Sequence, residues 1–303
     1  MSVPDFQSLM LPLLKVAADG KEHSLAETRP LLAAEFNISI ADQEDLLPSG
    51  RQPRFANRVA WARVYLQQAG LLLSPRRGWF RFSDLGRKLL EAPPERIDVK
   101  FLGQYPQFAE FRRRRGDVGE ESVTTDTGAE LETPEEALEA AHVKMQASLA
   151  SELLGRVKAG SPTVFERMVV EFLLRMGYGG SRTDVGQVVG KSGDEGIDGI
   201  ISEDRLGLDI VYQQAKKWDG TVGRPEVQKF VGALHGRRAR KGVLITTGTF
   251  STDAKCYVEQ IEPKVVLIDG RRLAELMIDF EVGVSTTTTY RVKRVDSDYF
   301  DET

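Results

Sequence analysis

The sequence is poor in the residues that form disulfides and zinc sites. Its 303 residues include one cysteine, Cys256, and three histidines, which are His23, His142 and His235. A single cysteine excludes an internal disulfide and is typical of proteins of the reducing cytoplasm. Because these four residues lie far apart in the sequence, they do not form a conventional zinc cluster. Any metal ion bound by this chain is therefore expected to be a hard cation held by oxygen ligands.

Long apolar runs are also missing. No uninterrupted apolar stretch approaches the roughly 18–20 residues that cross a membrane. Charged residues are scattered through the first thirty positions, which argues against a signal peptide. The composition, 41% apolar and 28% charged, is that of ordinary globular proteins. We expect a cytoplasmic protein without a membrane partner, long enough for two domains.

Neither sign of charge dominates the chain, which has 41 basic and 45 acidic side chains and a formal net charge of −4. Between Gly116 and Ala141 there are nine acidic residues and no basic residue. Setting these nine aside leaves 36 acidic side chains against 41 basic ones. The acidic net charge therefore does not exclude a nucleic-acid partner for the folded parts.

Residues 1–95 predict a helical domain that ends in a hairpin. Apolar residues at helical spacing indicate helices over 5–18, 24–36 and 55–68. Two short apolar runs follow, Leu71–Leu73 and Trp79–Phe82, and the proline and glycine between them indicate a hairpin. Three helices followed by a hairpin is the order of a winged helix-turn-helix domain, in which the third helix enters the major groove of DNA.

Basic and amide side chains gather at the start of the third helix and at the tip of the hairpin. The candidate DNA-binding residues are Arg51, Arg54, Asn57, Arg58, Arg76 and Arg77. Arginine and asparagine can bind base edges with two hydrogen bonds, and arginine also binds phosphates. The alternatives are a merely solvated basic face and a protein-interaction module, a role that winged helices also serve.

The remaining chain divides into a connecting region and a second domain. Residues 96–160 predict an acidic linker and a connecting helix, which begins at Thr133 and Pro134. Over 161–284 helices alternate with strands, which predicts an α/β domain with a mixed central sheet covered by helices on both faces. The strands of this sheet are expected at Ile197–Ile201, Leu208–Ala215, Gly242–Thr247 and Val265–Ile268. No chemistry is assigned to the C-terminal tail, 285–303.

Two of these strands carry a candidate metal site. Residues two apart on a strand share a face, so Gln214 and Lys216 point the same way and Gln213 points opposite. If the preceding strand pairs antiparallel, the carboxylate of Asp198 lies beside Gln214. A carboxylate, an amide oxygen and a backbone carbonyl can hold Mg²⁺, which would polarise a scissile phosphate and activate a bound water. Lys216 would orient that water or stabilise charge on the phosphate. From these residues alone, an ordinary structural strand remains the alternative.

Several short segments of the second half of the chain follow one another in a characteristic order. They are Phe165-Glu166, Met176–Tyr178, Gly193–Gly199, Gln214–Trp218, Gly223–Glu226 and Gly242–Thr247. From Ser161 to Val284 the chain resembles the catalytic domain of the Mrr family of restriction endonucleases. The run Arg58–Ala62 is similar to the N-terminal domain of the same family. The resemblance thus spans nearly the whole chain.

This resemblance implies a type IV, modification-dependent DNA endonuclease with a nuclease domain of the PD-(D/E)xK type. It implies that Asp198 and Gln214 are metal ligands, although most nucleases of the broader superfamily have glutamate in place of Gln214. Lys216 would be the catalytic lysine and Glu166 an auxiliary acidic residue, for which a plain surface carboxylate is the alternative. Asp194 and Glu195 lie in the acidic, glycine-rich loop of the family.

The resemblance also implies the cofactor and the partners. The metal would be Mg²⁺, with other divalent cations such as Mn²⁺ as alternatives, and the substrate would be methylated double-stranded DNA of foreign origin. Because cutting both strands needs two active sites, we expect a homo-oligomer, either a dimer or a tetramer. Rival hypotheses are a nuclease of the same fold that acts on damaged or branched DNA, and a non-catalytic DNA-binding regulator.

Overall fold

The computed structural model describes residues 3–76, 78–114, 131–179, 197–203 and 209–293. These residues divide into two compact units, one within Met1–Val143 and the other within Lys144–Val292. Among the helices of these ranges, none is long and apolar enough to cross a membrane.

The N-terminal unit is mainly helical and contains a small antiparallel sheet. Its helices are α1 (Met10–Val16), α2 (Leu25–Glu35), α3 (Ile40–Glu44), α4 (Arg54–Gln68), α5 (Asp84–Glu91), α6 (Val99–Leu102), α7 (Pro106–Arg114) and the beginning of α8 (Pro134–Ala159). Its strands are β1 (His23–Ser24), β2 (Leu72–Leu73) and β3 (Trp79–Phe82), in the order β1-β3-β2. The longest helix of this unit before the hairpin, α4, leads directly into that hairpin.

The short helices α3, α6 and α7 and the strand β1 are absent from the expectation based on the sequence. The short helix α3 lies between the second and third expected helices, and the Ser39 side chain caps it by accepting a hydrogen bond from the Asp42 backbone. The two-residue strand β1 pairs with β3. Both α3 and β1 are too short for hydrophobic periodicity to indicate them. The assignment of this unit as a winged helix-turn-helix remains a prediction.

One hydrophobic core holds the N-terminal unit together, and it extends past residue 95. Val59, Ala62 and Leu66 of α4 are fully buried in this core. Leu102 of α6 and Phe108 of α7 are fully buried in the same core. The segment after residue 95, which the sequence suggests is the start of a linker, therefore packs as part of the N-terminal unit as far as α7.

The C-terminal unit is an α/β fold around a four-stranded sheet. After α8 come α9 (Pro162–Arg175), β4 (Gly199–Ser202), β5 (Ile210–Lys216), β6 (Thr221–Val222), α10 (Arg224–Gly236), β7 (Lys241–Thr246), β8 (Thr249–Phe250), α11 (Thr252–Glu259), β9 (Lys264–Ile268) and α12 (Gly270–Asp279). The sheet order is β4-β5-β7-β9, with β4 antiparallel to β5 and the other pairs parallel. The expected mixed sheet is confirmed, and β6 and β8 form an additional parallel pair.

Two separate cores cover the two faces of this sheet. On one face, Val211, Val243 and Ile245 pack with apolar residues of α9 and α12. On the other face, Tyr212 and Leu244 pack with apolar residues of α10 and α11. Alternate residues of β5 therefore belong to different layers, and this alternation decides which side chains share a site.

Candidate active site

The pairing of β4 with β5 places Asp198 beside Gln214. Gly199 is the register partner of Gln213, so Asp198, one residue earlier, lies opposite Gln214. The Asp198 backbone N–H donates to the Gln213 carbonyl at 3.0 Å. Its carboxylate Oδ2 accepts a hydrogen bond from the backbone N–H of Ala215 at 2.7 Å. The half-buried carboxylate is thus held at the edge of the β5 backbone, where the sequence predicts it.

Gln214 and Lys216 lie on the face of β5 that α10 covers. Gln214 is 7% exposed, and its parallel neighbour on β7 is Leu244, a residue of the core beneath α10. Lys216 pairs in register with Thr246 at the end of the same strand pair, and its side chain is 24% exposed. The two functional groups are therefore near the carboxyl end of β5, with the amide more deeply buried than the ammonium.

Gln213, on the opposite face of β5, has a structural role. Its side chain is buried and lies directly over Gly199, where an added Cβ would collide with the amide nitrogen of Gln213. Glycine after Asp198 thus permits the close approach of the two strands that places Asp198 against β5. The two adjacent glutamines consequently have different environments.

A carboxylate that the sequence did not single out contacts Lys216. Glu226, in the first turn of α10, accepts a hydrogen bond from the Lys216 ammonium through Oε2. Its other oxygen accepts from Lys229 at 2.6 Å. The hydrogen bond from Lys216, followed by that from Lys229, holds the pKa of Glu226 below its ordinary value. The only signal in the sequence was the position of Glu226 within the segment Gly223–Glu226.

Glu166 lies on a different layer from Gln214 and Lys216. It is an exposed residue of α9, and the buried residues of α9 pack against the sheet face opposite to α10. The role of Glu166 as an auxiliary acidic residue remains a prediction. Asp194 and Glu195 lie outside the described residues.

The donor set of the site suits a hard cation. Within the described ranges, no group of three or more histidine, cysteine, aspartate or glutamate residues could hold a metal ion. Asp198 and Gln214 nevertheless bring a carboxylate and an amide oxygen to neighbouring positions on paired strands. Oxygen donors of this kind, completed by water, fit Mg²⁺ or Mn²⁺ better than a thiophilic metal.

Two of the candidate DNA-binding residues are covered by the beginning of α8. Asn57 is 1% exposed; it accepts a hydrogen bond from the Thr133 hydroxyl at 2.6 Å and donates to Glu135. Arg58, 14% exposed, donates to Glu136 at 2.9 Å and to the carbonyl of Val3 at 2.7 Å. In this conformation both side chains bind protein groups.

Three of the other candidate DNA-binding residues, Arg51, Arg54 and Arg76, lie within the described residues and are more accessible. Arg51 is exposed, and Arg54 is half-buried between Asp45 and Glu136. Arg76, on the hairpin, is 59% exposed, pairs with Glu22 and stacks over the Trp79 ring at 3.9 Å. Arg77 lies outside the described residues.

Comparisons with known proteins agree with this layout. A family model described as restriction endonuclease matches residues 157–277, and a model of the Mrr N-terminal domain matches residues 6–92. The type IV methyl-directed restriction enzyme EcoKMrr of Escherichia coli strain K12 is 36% identical over 308 residues, covering 99% of this chain and 100% of that protein. 

A solved structure of MspJI restriction endonuclease with a 27-mer oligonucleotide has a TM-score of 0.28 and 25% identity, covering 52% of this chain and 35% of that chain. The chain thus spans about a third of the length of that structure. The family matches lie on both units, and the identity to EcoKMrr runs through nearly the whole chain. The chain belongs to the Mrr family of type IV restriction endonucleases.

Proposed function

We propose that this chain is a type IV restriction endonuclease that hydrolyses phosphodiester bonds in methylated foreign DNA with the help of a divalent metal ion. The observation that carries the proposal is the arrangement of Asp198, Gln214 and Lys216 at the β4–β5 pair. It occurs in a chain whose full-length relative is named a methyl-directed restriction enzyme. The PD-(D/E)xK type describes this nuclease domain, with Gln214 in the second position of the pattern.

Asp198 and Gln214 are the residues that would hold the ion. A divalent cation bound there would polarise the scissile phosphate and lower the pKa of a bound water. Gln214 would coordinate the ion through a neutral oxygen. The ligands would then carry one negative charge fewer than an aspartate–glutamate pair, so the site should bind Mg²⁺ more weakly. Lys216, two residues along the same face, brings a positive charge to the place where negative charge develops on the phosphate.

The N-terminal unit would bind the DNA, with α4 and the β2–β3 hairpin as the contact surface of a winged helix. Arg51, Arg54 and Arg76 are accessible enough to neutralise phosphates. Asn57 and Arg58 could read bases only after the beginning of α8 leaves them, because both are covered in this conformation. The accessible arginines are therefore the better candidates for first contact with DNA.

Double-strand cleavage by one such site per chain requires two chains. Each chain carries a single set of Asp198, Gln214 and Lys216. We therefore propose that the active species is a homo-oligomer, a dimer or a tetramer, in which two copies cut opposite strands.

The function is tested by incubating the purified protein with methylated and unmethylated copies of one plasmid, in Mg²⁺ and in a chelator. The proposal expects cutting of the methylated plasmid alone, and only with the metal. Equal cutting of both plasmids would refute the dependence on modification while leaving a nuclease. Cutting in the chelator would refute the dependence on metal.

A further inference from the structure

The ammonium of Lys216 is held by a carboxylate from a different element of the fold. Lys216 is the last residue of β5, and Glu226 lies in the first turn of α10. We propose that Glu226 is a positioning residue, which fixes the Lys216 side chain so that its ammonium faces the reacting phosphate. This inference rests on the proposed nuclease function and adds a residue to its site.

The helix that carries Glu226, α10, is firmly anchored in the hydrophobic core. Glu226 is followed by Val227, which is fully buried, and Phe230, Val231 and Leu234 of the same helix are buried in the core against the sheet. Its position in the first turn of α10 is also favourable for a negative charge, because the helix dipole is positive there. The carboxylate therefore has a fixed location relative to β5, which forms the other side of the same core.

Both oxygens of the Glu226 carboxylate are engaged by ammonium groups. Oε2 accepts from Lys216, and Oε1 accepts from Lys229 at 2.6 Å. Because these bonds hold the pKa of Glu226 low, with the Lys216 bond as the largest cause, the carboxylate is charged at neutral pH. Lys229 is 72% exposed, so Lys216 is the more enclosed of its two partners.

The need for such a partner follows from the chemistry of lysine and from the neutral residue at position 214. Lysine has a flexible four-carbon chain, and its ammonium has three donors. One donor is used by Glu226, which leaves two for a phosphate oxygen and a water. In a nuclease with glutamate at position 214, a second negative charge would lie two residues from the lysine on the same face. Gln214 supplies no charge, so Glu226 provides a counter-ion from α10.

The Trp218 ring limits the same side chain further. The Lys216 ammonium lies 5.5 Å from the centroid of that ring. A cation at this distance from an indole is attracted to the ring face. Lys216 thus has a carboxylate and an aromatic ring as neighbours, which restrict its rotamers before any substrate binds.

The test uses Glu226→Gln, which keeps the shape of the side chain and removes its charge. Single-turnover cleavage of methylated DNA is measured over a range of Mg²⁺ concentrations. We expect the rate to fall about 10- to 100-fold, as misplacement of a catalytic group does. The Mg²⁺ concentration for half-maximal rate and the DNA affinity, measured with Ca²⁺ in place of Mg²⁺, should stay unchanged. Glu275→Gln is the matched control, because Glu275 pairs with two exposed arginines of its own helix, Arg271 and Arg272, and it should cleave like the wild type.

Other results would overturn the inference. An unchanged rate would remove any role for Glu226. A raised Mg²⁺ requirement with full rate at saturation would make Glu226 a group that acts on the metal, and a loss of DNA affinity would make it a DNA contact.

A second readout is independent of cleavage. The Lys216 ammonium is labelled with a limiting amine-acetylating reagent and quantified by mass spectrometry against the exposed Lys264. Labelling of Lys216 should rise in Glu226→Gln, because the ion pair no longer protects it. If labelling of Lys216 is the same in Glu226→Gln as in the wild type, the contact is refuted, whether or not the wild type cuts DNA. If labelling increases in Glu226→Gln but the wild type does not cut DNA, only the proposed function is refuted.

Discussion

At the residue scale, the site depends on the alternation of side chains along one strand. Gln213 and Gln214 are adjacent glutamines, yet one packs over Gly199 and the other faces the core beneath α10. The sequence predicts this difference, because neighbouring residues of a strand point to opposite faces. It also predicts that Asp198 lies beside Gln214 if the two strands pair antiparallel, and β4 and β5 do pair in this way.

Substitution of Gln214 tests its role as a metal ligand. Gln214→Ala should lower the cleavage rate by at least about 100-fold, more than the loss of a group that merely supports a ligand. Gln214→Glu should retain activity, because glutamate offers an oxygen at the same reach and binds Mg²⁺ more tightly. Cleavage rates are measured at saturating Mg²⁺, and Gln228→Ala, a substitution of an exposed glutamine, is the control. A well-folded but inactive Gln214→Glu enzyme would contradict the ligand role.

Removal of the Lys216 ammonium should separate catalysis from binding. We expect Lys216→Ala to lower the cleavage rate about 100- to 1,000-fold, as the loss of one preorganised charge-stabilising group does. Its affinity for DNA, measured by fluorescence anisotropy, should stay close to that of the wild type. Weakened DNA binding with little further loss of rate would show instead that this lysine is only an electrostatic contact. Lys264→Ala, on the exposed start of β9, serves as the control.

At the scale of elements, the sequence reveals long elements better than contacts between distant segments. Helical periodicity and apolar runs indicate α4, α9, β5 and β7, whereas the two-residue strand β1 has too few residues to show a pattern. Glu226 is ten residues from its partner Lys216, and Thr133 and Glu135 are 76 and 78 residues from their partner Asn57. No local propensity links such residues, so only the assembled fold places them together.

The beginning of α8 is the clearest case of a contact that the sequence concealed. Thr133 and Glu136 form reciprocal hydrogen bonds that cap α8, and Glu136 also binds Arg54 and Arg58. Glu136 is 4% exposed. A buried carboxylate with these partners stabilises the helix start and its contact with α4. The sequence predicts that a helix begins at Thr133 and Pro134, but it does not predict this contact.

Glu136→Ala should destabilise the N-terminal unit. Removing one partner of a buried ion pair leaves the other charges poorly compensated, so the free energy of unfolding should fall by about 3 kcal/mol. Urea unfolding followed by tryptophan fluorescence reports on this unit through Trp61 and Trp79. Glu152→Ala on the same helix is the control, since its exposed pair with Arg156 should contribute less than about 1 kcal/mol. Equal effects of the two substitutions would contradict the structural role of Glu136.

The hairpin and the start of α4 carry the accessible arginines of the proposed DNA surface. Arg51→Ala and Arg76→Ala should each weaken DNA binding to a similar degree for all sequences, because phosphate contacts carry no sequence information. Each loss of a phosphate contact should lower the slope of log affinity against log salt by about 1. Binding titrations at several salt concentrations measure this slope. An unchanged slope for both variants would place the DNA elsewhere on the protein.

At the scale of the whole molecule, the chain combines a helical unit with a nuclease unit, and the matches to its family fall on both. The net charge of −4 does not describe the charge of the two units, because nine of the acidic residues lie together between Gly116 and Ala141. The central claim concerns the nuclease unit: Asp198, together with Gln214 and Lys216, forms the centre that cuts DNA.

The most direct measurement of that claim is cleavage of a methylated plasmid by Asp198→Ala beside the wild type, with Asp279→Ala as a matched exposed control at the end of α12. DNA affinity is measured for all three proteins. We expect Asp198→Ala to bind the plasmid normally and to leave it uncut in Mg²⁺, while the wild type and Asp279→Ala cut it. Cleavage by a folded Asp198→Ala protein at the wild-type rate would contradict the account and place the active centre elsewhere in the chain.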